Sequence, residues 1–188
     1  MKINLSFFSV MLFLSFLITE PTFALASVLA VVIHESAHIV AAKIRHTYFK
    51  ELKLGIWGAG LTPNDNIFSY DDEIIICIAG PLVNFISSLI SIPIYSLVPC
   101  AFIEYFIAAS AVLGALNILP VKSFDGGRIL HSILCKNINL RTADRILSIV
   151  SFVLIFVIWS LSVYLLLANE FGLSFFVFSI SLFIRFFL

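Results

Sequence analysis

Residues 34 to 38 read His34-Glu35-Ser36-Ala37-His38. Two histidines four apart on a helix project from nearly the same face, so both imidazoles can grip one metal ion. Glu35, one step round, is placed to take a proton from water activated by that ion without being a ligand itself. The chemistry such residues do is zinc-assisted hydrolysis. A five-residue pattern also arises by chance, but this one has an unusual setting. Residues 24–33 and 39–42 around it carry no charge. An acidic side chain at the middle of a membrane helix costs about 2.5–3.5 kcal/mol on insertion scales. Three titratable groups in such a run need a shared reason, and a buried metal supplies one.

A catalytic zinc takes three protein ligands and keeps one position open. A third histidine at the metzincin spacing would fall at Ile44, so that pattern fails; His46 is off register beside Arg45 and Thr47. Glu51 and Glu73 lie downstream in a polar segment, with no pattern that aims them at the metal. Asp125 stands in Asn117-Ile-Leu-Pro120-Val-Lys-Ser-Phe-Asp125-Gly126-Gly127-Arg128. Pro120 ends a helix, and Gly126-Gly127 allow a tight bend that can turn one carboxylate back toward the zinc. The same residues would also serve an ordinary cytoplasmic turn. On spacing alone both readings stand.

The elements that must position these groups lie in lipid. The 188 residues are 61% hydrophobic and 12% charged, against about 25% charged in soluble domains. The mean hydropathy is +1.12. Net charge is zero, so no basic field suggests a nucleic-acid partner. Cys77, Cys100 and Cys135 are scattered, without the spacing of a disulfide framework or a cysteine zinc site. A span needs about 20 apolar residues, and six runs approach it: 3–19, 24–42, 74–98, 101–119, 146–168 and 172–188. The last is short and carries Arg185. The first, followed by Ala24-Leu25-Ala26, also reads as a signal peptide, although its apolar core is longer than the usual 7–15 residues.

All 11 lysines and arginines fall on one side when the loops alternate across these spans. The positive-inside rule makes that side cytoplasmic. Both termini are then cytoplasmic, in a multi-pass protein of the cell membrane. His34 lies about eight residues, or roughly 12 Å, from the cytoplasmic end of its helix, so the active site opens toward the cytoplasm. Between the second and third spans, Leu52, Leu54 and Ile56 alternate, Gly58-Ala59-Gly60 marks a turn and Leu61-Thr62 begins a return strand. A strand edge here could capture an extended substrate; Trp57 equally reads as the interfacial anchor of a plain hairpin. The expected fold is an all-α polytopic membrane protein. It has about six transmembrane helices and a small membrane-associated β-hairpin between helices 2 and 3, in a single domain over residues 1–188.

Together these residues resemble the site-2 protease family of intramembrane zinc metalloproteases, peptidase family M50. His34-Glu35-Ser36-Ala37-His38 matches its H-E-x-x-H in a membrane helix, and Asn117-x-x-Pro120-x-x-x-x-Asp125-Gly126 looks like its second signature. Ala79-Gly80-Pro81-Leu82-Val83-Asn84 is similar to its A-G-P-x-x-N element. With no room for a PDZ insertion and no regulatory tail, the chain resembles the compact bacterial branch that includes a sporulation protease processing a sigma-factor precursor. The resemblance implies one catalytic zinc on His34, His38 and Asp125, with Glu35 as the catalytic base. It implies that Asn117, Asn84 and the sheet residues Gly55 and Trp57 meet the substrate. For the asparagines, interhelical hydrogen bonding is the competing reading. The substrate would be a membrane-embedded or membrane-tethered protein, with the lipid bilayer and membrane regulatory proteins as further partners. Two other functions fit parts of the pattern. One is a membrane HExxH protease with Glu51 or Glu73 as third ligand; the other is a zinc transporter or sensor without catalysis. His131 and Cys135 lie in the apolar run after Asp125 and lack ligand spacing.

Overall fold

The computed structural model of the chain describes residues 20–46, 49–55, 58–63, 69–168 and 172–187. Its described helices are α1 (Pro21–Ile44), α2 (Tyr70–Leu97), α3 (Ala101–Ile118), α4 (Asp125–Asn137), α5 (Leu140–Leu167) and α6 (Gly172–Phe187). Local chemistry sets their ends. Pro21 opens α1, where its missing N–H costs nothing. Ser69 caps α2, its hydroxyl accepting from the Asp71 N–H, and Asp71, Asp72 and Glu73 complement the positive end of the helix dipole. Pro99 and Pro120 follow the ends of α2 and α3 closely, in keeping with proline's inability to continue a helix. Asn139 caps α5 by accepting from the Thr142 N–H at 2.9 Å, so that helix starts six residues before the expected apolar run at 146.

The expected fold class needs correction. Among the described residues four helices are long and apolar enough to cross a membrane: α1, α2, α3 and α5. The α4 helix has 13 residues and mixes Asp125, Arg128, His131 and Lys136 with Ile129, Ile133 and Leu134. The α6 helix has 16 residues, about 24 Å at 1.5 Å per residue, short of the roughly 30 Å of hydrocarbon. The expected span 3–19 lies outside the described residues. The membrane-associated hairpin is corrected as well. The fold is carried by helices, and the described residues between α1 and α2 form a short antiparallel pairing of 49–55 (β1) with 58–63 (β2). Among the described residues the two strands pack mainly on each other.

The chain divides into two compact units, residues 1–118 and 119–188. In the first, α1, α2 and α3 all pack on one another. Small residues let them approach. Ala24, Ala26, Ala30 and Ala42 are buried on α1, Gly80 and Ser88 on α2, and Ser110 and Gly114 on α3. Close backbone approach of this kind drives helix association in lipid, where burial of apolar surface offers little. Large apolar side chains point outward instead; Leu97 is 83% exposed. At Gly114 a Cβ would meet the Phe85 ring and the Pro81 carbonyl oxygen at 3.2 Å. The ring can yield, but the carbonyl cannot. Gly114→Leu is therefore expected to destabilise the bundle by about 1–3 kcal/mol, read as a lower unfolding midpoint in detergent. Arg45 Nε and Asp72 Oδ1, 2.5 Å apart, tie the end of α1 to the start of α2. His46 closes α1 in a left-handed conformation, φ 54°.

In the second unit Val121, Ile155 and Leu182 form a buried cluster with Phe124, Phe178 and Phe183 against it. The Ser162 and Ser179 hydroxyls hydrogen-bond at 2.7 Å between α5 and α6. Ser151 Oγ accepts the Lys122 N–H at 2.9 Å, fixing the turn that precedes α4.

Candidate metal centre

The two histidines belong to the packing seam of α1. Ala26, Ala30, His34, His38 and Ala42 are buried at intervals of four, the spacing that keeps side chains on one helix face. His34 is 4% exposed and His38 is 6% exposed. Their rings stand edge to face at 84°, with Nε2 atoms 3.1 Å apart. Glu35, one residue round, is half-buried.

A matching stripe on α2 receives them. Ile76, Gly80 and Asn84 also recur at intervals of four and are buried. His38 Nδ1–H donates to the Ile76 carbonyl oxygen at 2.7 Å. That leaves the lone pair of His38 on Nε2. Gly80 provides the room: a Cβ there would lie 2.6 Å from His38 Cε1 and 2.8 Å from His34 Cε1. Asn84, with no exposed surface, sets its amide 3.2 Å from His34 Nδ1. Pro81 offers no N–H to the helix at this turn, a break that membrane helices tolerate where neighbouring groups re-satisfy the backbone.

The pair fits a zinc ion. Their Nε2 atoms, 3.1 Å apart in one buried seam, are close enough to share one ion. Two imidazoles, one with its outer nitrogen tied to a carbonyl, are a donor set such an ion takes.

The other expected site residues sit as follows. Asp125 begins α4 in the second unit and is partly buried. The glycines after it are helical, and Gly127 meets a different need from the expected bend. A Cβ there would lie 2.9 Å from the Lys122 nitrogen and closer still to the Val121 carbonyl, so Gly127 lets the first turn of α4 rest on the preceding loop. Asn117 donates from Nδ2 to the Leu113 carbonyl oxygen at 3.0 Å within α3. Gly55 ends β1 opposite Gly58, and Trp57 lies outside the described residues. Glu73 stands in the first turn of α2 and Glu51 in β1. His131 Nε2 pairs with Asp144 Oδ1 at 3.0 Å, with Cys135 Sγ 3.6 Å from the same nitrogen. The positioning roles of Ile76 and Gly80 escaped residue-by-residue reading. The signal was present: Gly80 and Asn84 repeat the four-residue spacing of His34 and His38.

The chain is similar to known proteins. The profile of Peptidase family M50 matches residues 94–161. A zinc metalloprotease of Methanocaldococcus jannaschii is 31% identical over 153 residues, covering 76% of this chain and 44% of the relative. The chain thus spans less than half the length of that curated relative. The solved structure of a site-2 protease from Methanocaldococcus jannaschii superposes with a TM-score of 0.74 at 20% identity, over 97% of this chain and 87% of that one; the two share a fold. The helix that carries His34-Glu35-x-x-His38 and the stripe that receives it thus lie in a chain that is similar to Peptidase family M50 over residues 94–161 and shares the fold of a site-2 protease.

Proposed function

We propose that this chain is an intramembrane zinc metalloprotease that hydrolyses a peptide bond in or near the membrane segment of a substrate protein, with residues 1–188 acting as one protease domain. The observation that carries this reading is the pair of buried imidazoles in a helix of membrane-span length, with Nε2 atoms 3.1 Å apart. His34, His38 and Asp125 would hold one zinc ion. When bound, that ion supplies Lewis acidity and brings the pKa of water to about 7. Glu35 accepts the proton of the attacking water and later delivers it to the leaving amine. A substrate helix must unwind locally, because its carbonyls are hydrogen-bonded within the helix. Asn117, near the end of α3, then meets the extended backbone. The basic residues that follow α1 and α3 support a site that opens toward the cytoplasm.

Chelation tests the reading. Purified protein in detergent, given a membrane-tethered reporter, should lose cleavage with 1,10-phenanthroline and regain it with added zinc. Cleavage that survives complete zinc removal would refute it. Asp125→Ala should weaken zinc retention by more than about 100-fold, beyond what loss of an outer-shell partner costs, while Glu73→Ala leaves it unchanged. The reverse result would make Glu73 the third ligand.

A further inference from the structure

We infer that Asn84 is a positioning residue whose side-chain carbonyl accepts the His34 Nδ1–H and so leaves the His34 Nε2 lone pair for the metal. This rests on the zinc site proposed above. The argument starts at His38, whose proton is fixed on Nδ1 by the Ile76 carbonyl oxygen 2.7 Å away. Its Nε2 therefore carries a lone pair, 3.1 Å from the Nε2 of His34. Two arrangements of His34 are open. If the Asn84 amide nitrogen donates to His34 Nδ1, the His34 proton sits on Nε2, and that nitrogen has no lone pair to offer a cation. If the Asn84 oxygen accepts from Nδ1–H, the Nε2 lone pairs of both rings are left for the same cation.

The two ends of a side-chain amide exchange by a half turn of the amide group, and which end faces a neighbour follows from the hydrogen-bond network. That network favours the oxygen at this position. His38 already has a carbonyl on its outer nitrogen, and metal-binding histidines keep an acceptor there to fix tautomer and ring orientation. Asn84 has no exposed surface; as placed, its Nδ2 stands 3.2 Å from His34 Nδ1 and its Oδ1 has no hydrogen-bond partner, and the half turn exchanges the two. A fully buried amide with one contact only, made to a metal-ligand candidate, is placed for that contact.

The test uses the full chain in detergent micelles, with Asn84→Asp and Asn84→Leu beside the unaltered protein. Zinc affinity is read by competition with a chelator of known affinity, and ring protonation by 15N shifts of the histidines in metal-free protein. In the unaltered protein His34 should carry its proton on Nδ1. Asn84→Asp, isosteric and able only to accept when ionised, should bind zinc within about threefold of the unaltered protein, whereas Asn84→Leu should bind about 10–100-fold more weakly. The inference is overturned if Asn84→Leu binds zinc as the unaltered protein does. It is equally overturned if Asn84→Asp weakens binding as much as Asn84→Leu, or if the His34 proton resides on Nε2. Should Asn84→Leu not fold, the isosteric variant and the tautomer still decide. If the unaltered protein binds no zinc, the zinc reading falls, and a His34 proton found on Nε2 separately refutes the role of Asn84.

Discussion

Glu35→Gln should retain zinc and lower cleavage by about 10²–10⁴-fold, the range that general acid–base catalysis contributes. Glu35 is adjacent to His34 yet off the four-residue stripe of His34 and His38, and it is half-buried where they are buried. Glutamine keeps the length and shape of the side chain, so the seam of α1 against α2 stays as it is. It cannot accept a proton at neutral pH. The experiment measures zinc per mole of purified protein together with cleavage of a membrane-tethered reporter in the same preparation. Undiminished cleavage would remove Glu35 from the mechanism. Lost zinc would make it a ligand and reopen the question of the third donor.

Legibility in the sequence followed the kind of force involved. Apolar runs flanked by prolines mark spans well, because lipid demands length and apolarity and little else. The helices α1, α2 and α3 accordingly start and end within four residues of the expected runs at 24–42, 74–98 and 101–119. The run at 172–188 misled because apolar composition alone does not distinguish a 16-residue helix packed on α5 from a span. The segment from 48 to 73 misled for another reason. Alternating residues such as Leu52 and Leu54 signal pairing, but the face against which a pair packs depends on partners that local alternation does not encode.

The candidate site is legible where its residues are local to one helix. His34, Glu35 and His38 stand in one turn and a half, and helical geometry alone brings the imidazoles together. Asn84 was noticed only through resemblance. Its contact with His34 depends on how closely α2 crosses α1, which the small residues of both helices set. Gly126 and Gly127 show the converse: the residues were singled out correctly, but for a bend. The crowding at Gly127 comes from the Val121–Lys122 backbone, and close approach to another segment is a second use of glycine that a local reading does not separate from a turn.

Gly80 sets helix propensity against sterics, and the sign of one substitution decides between them. Alanine in a helix interior is favoured over glycine by roughly 0.5–1 kcal/mol, so by propensity alone Gly80→Ala should stabilise α2. The site says otherwise. The new methyl would stand 2.6 Å from His38 Cε1 and 2.8 Å from His34 Cε1, well inside contact distance. Neither ring is free to swing aside, since His38 is held by the Ile76 carbonyl oxygen and His34 by Asn84. Relief must come from parting α1 and α2 or from breaking one of those hydrogen bonds, and either spoils the 3.1 Å approach of the two Nε2 atoms. Gly80→Ala is therefore expected to cost about 1–3 kcal/mol of stability, as overpacking does, and to weaken zinc binding by more than about 10-fold, the lower bound for a disturbed ligand orientation. Unfolding in detergent and chelator competition on the same sample measure both. A stabilised variant that holds zinc normally would show that α1 and α2 do not pack this closely, and the metal centre would have to be rebuilt from a looser pair of helices.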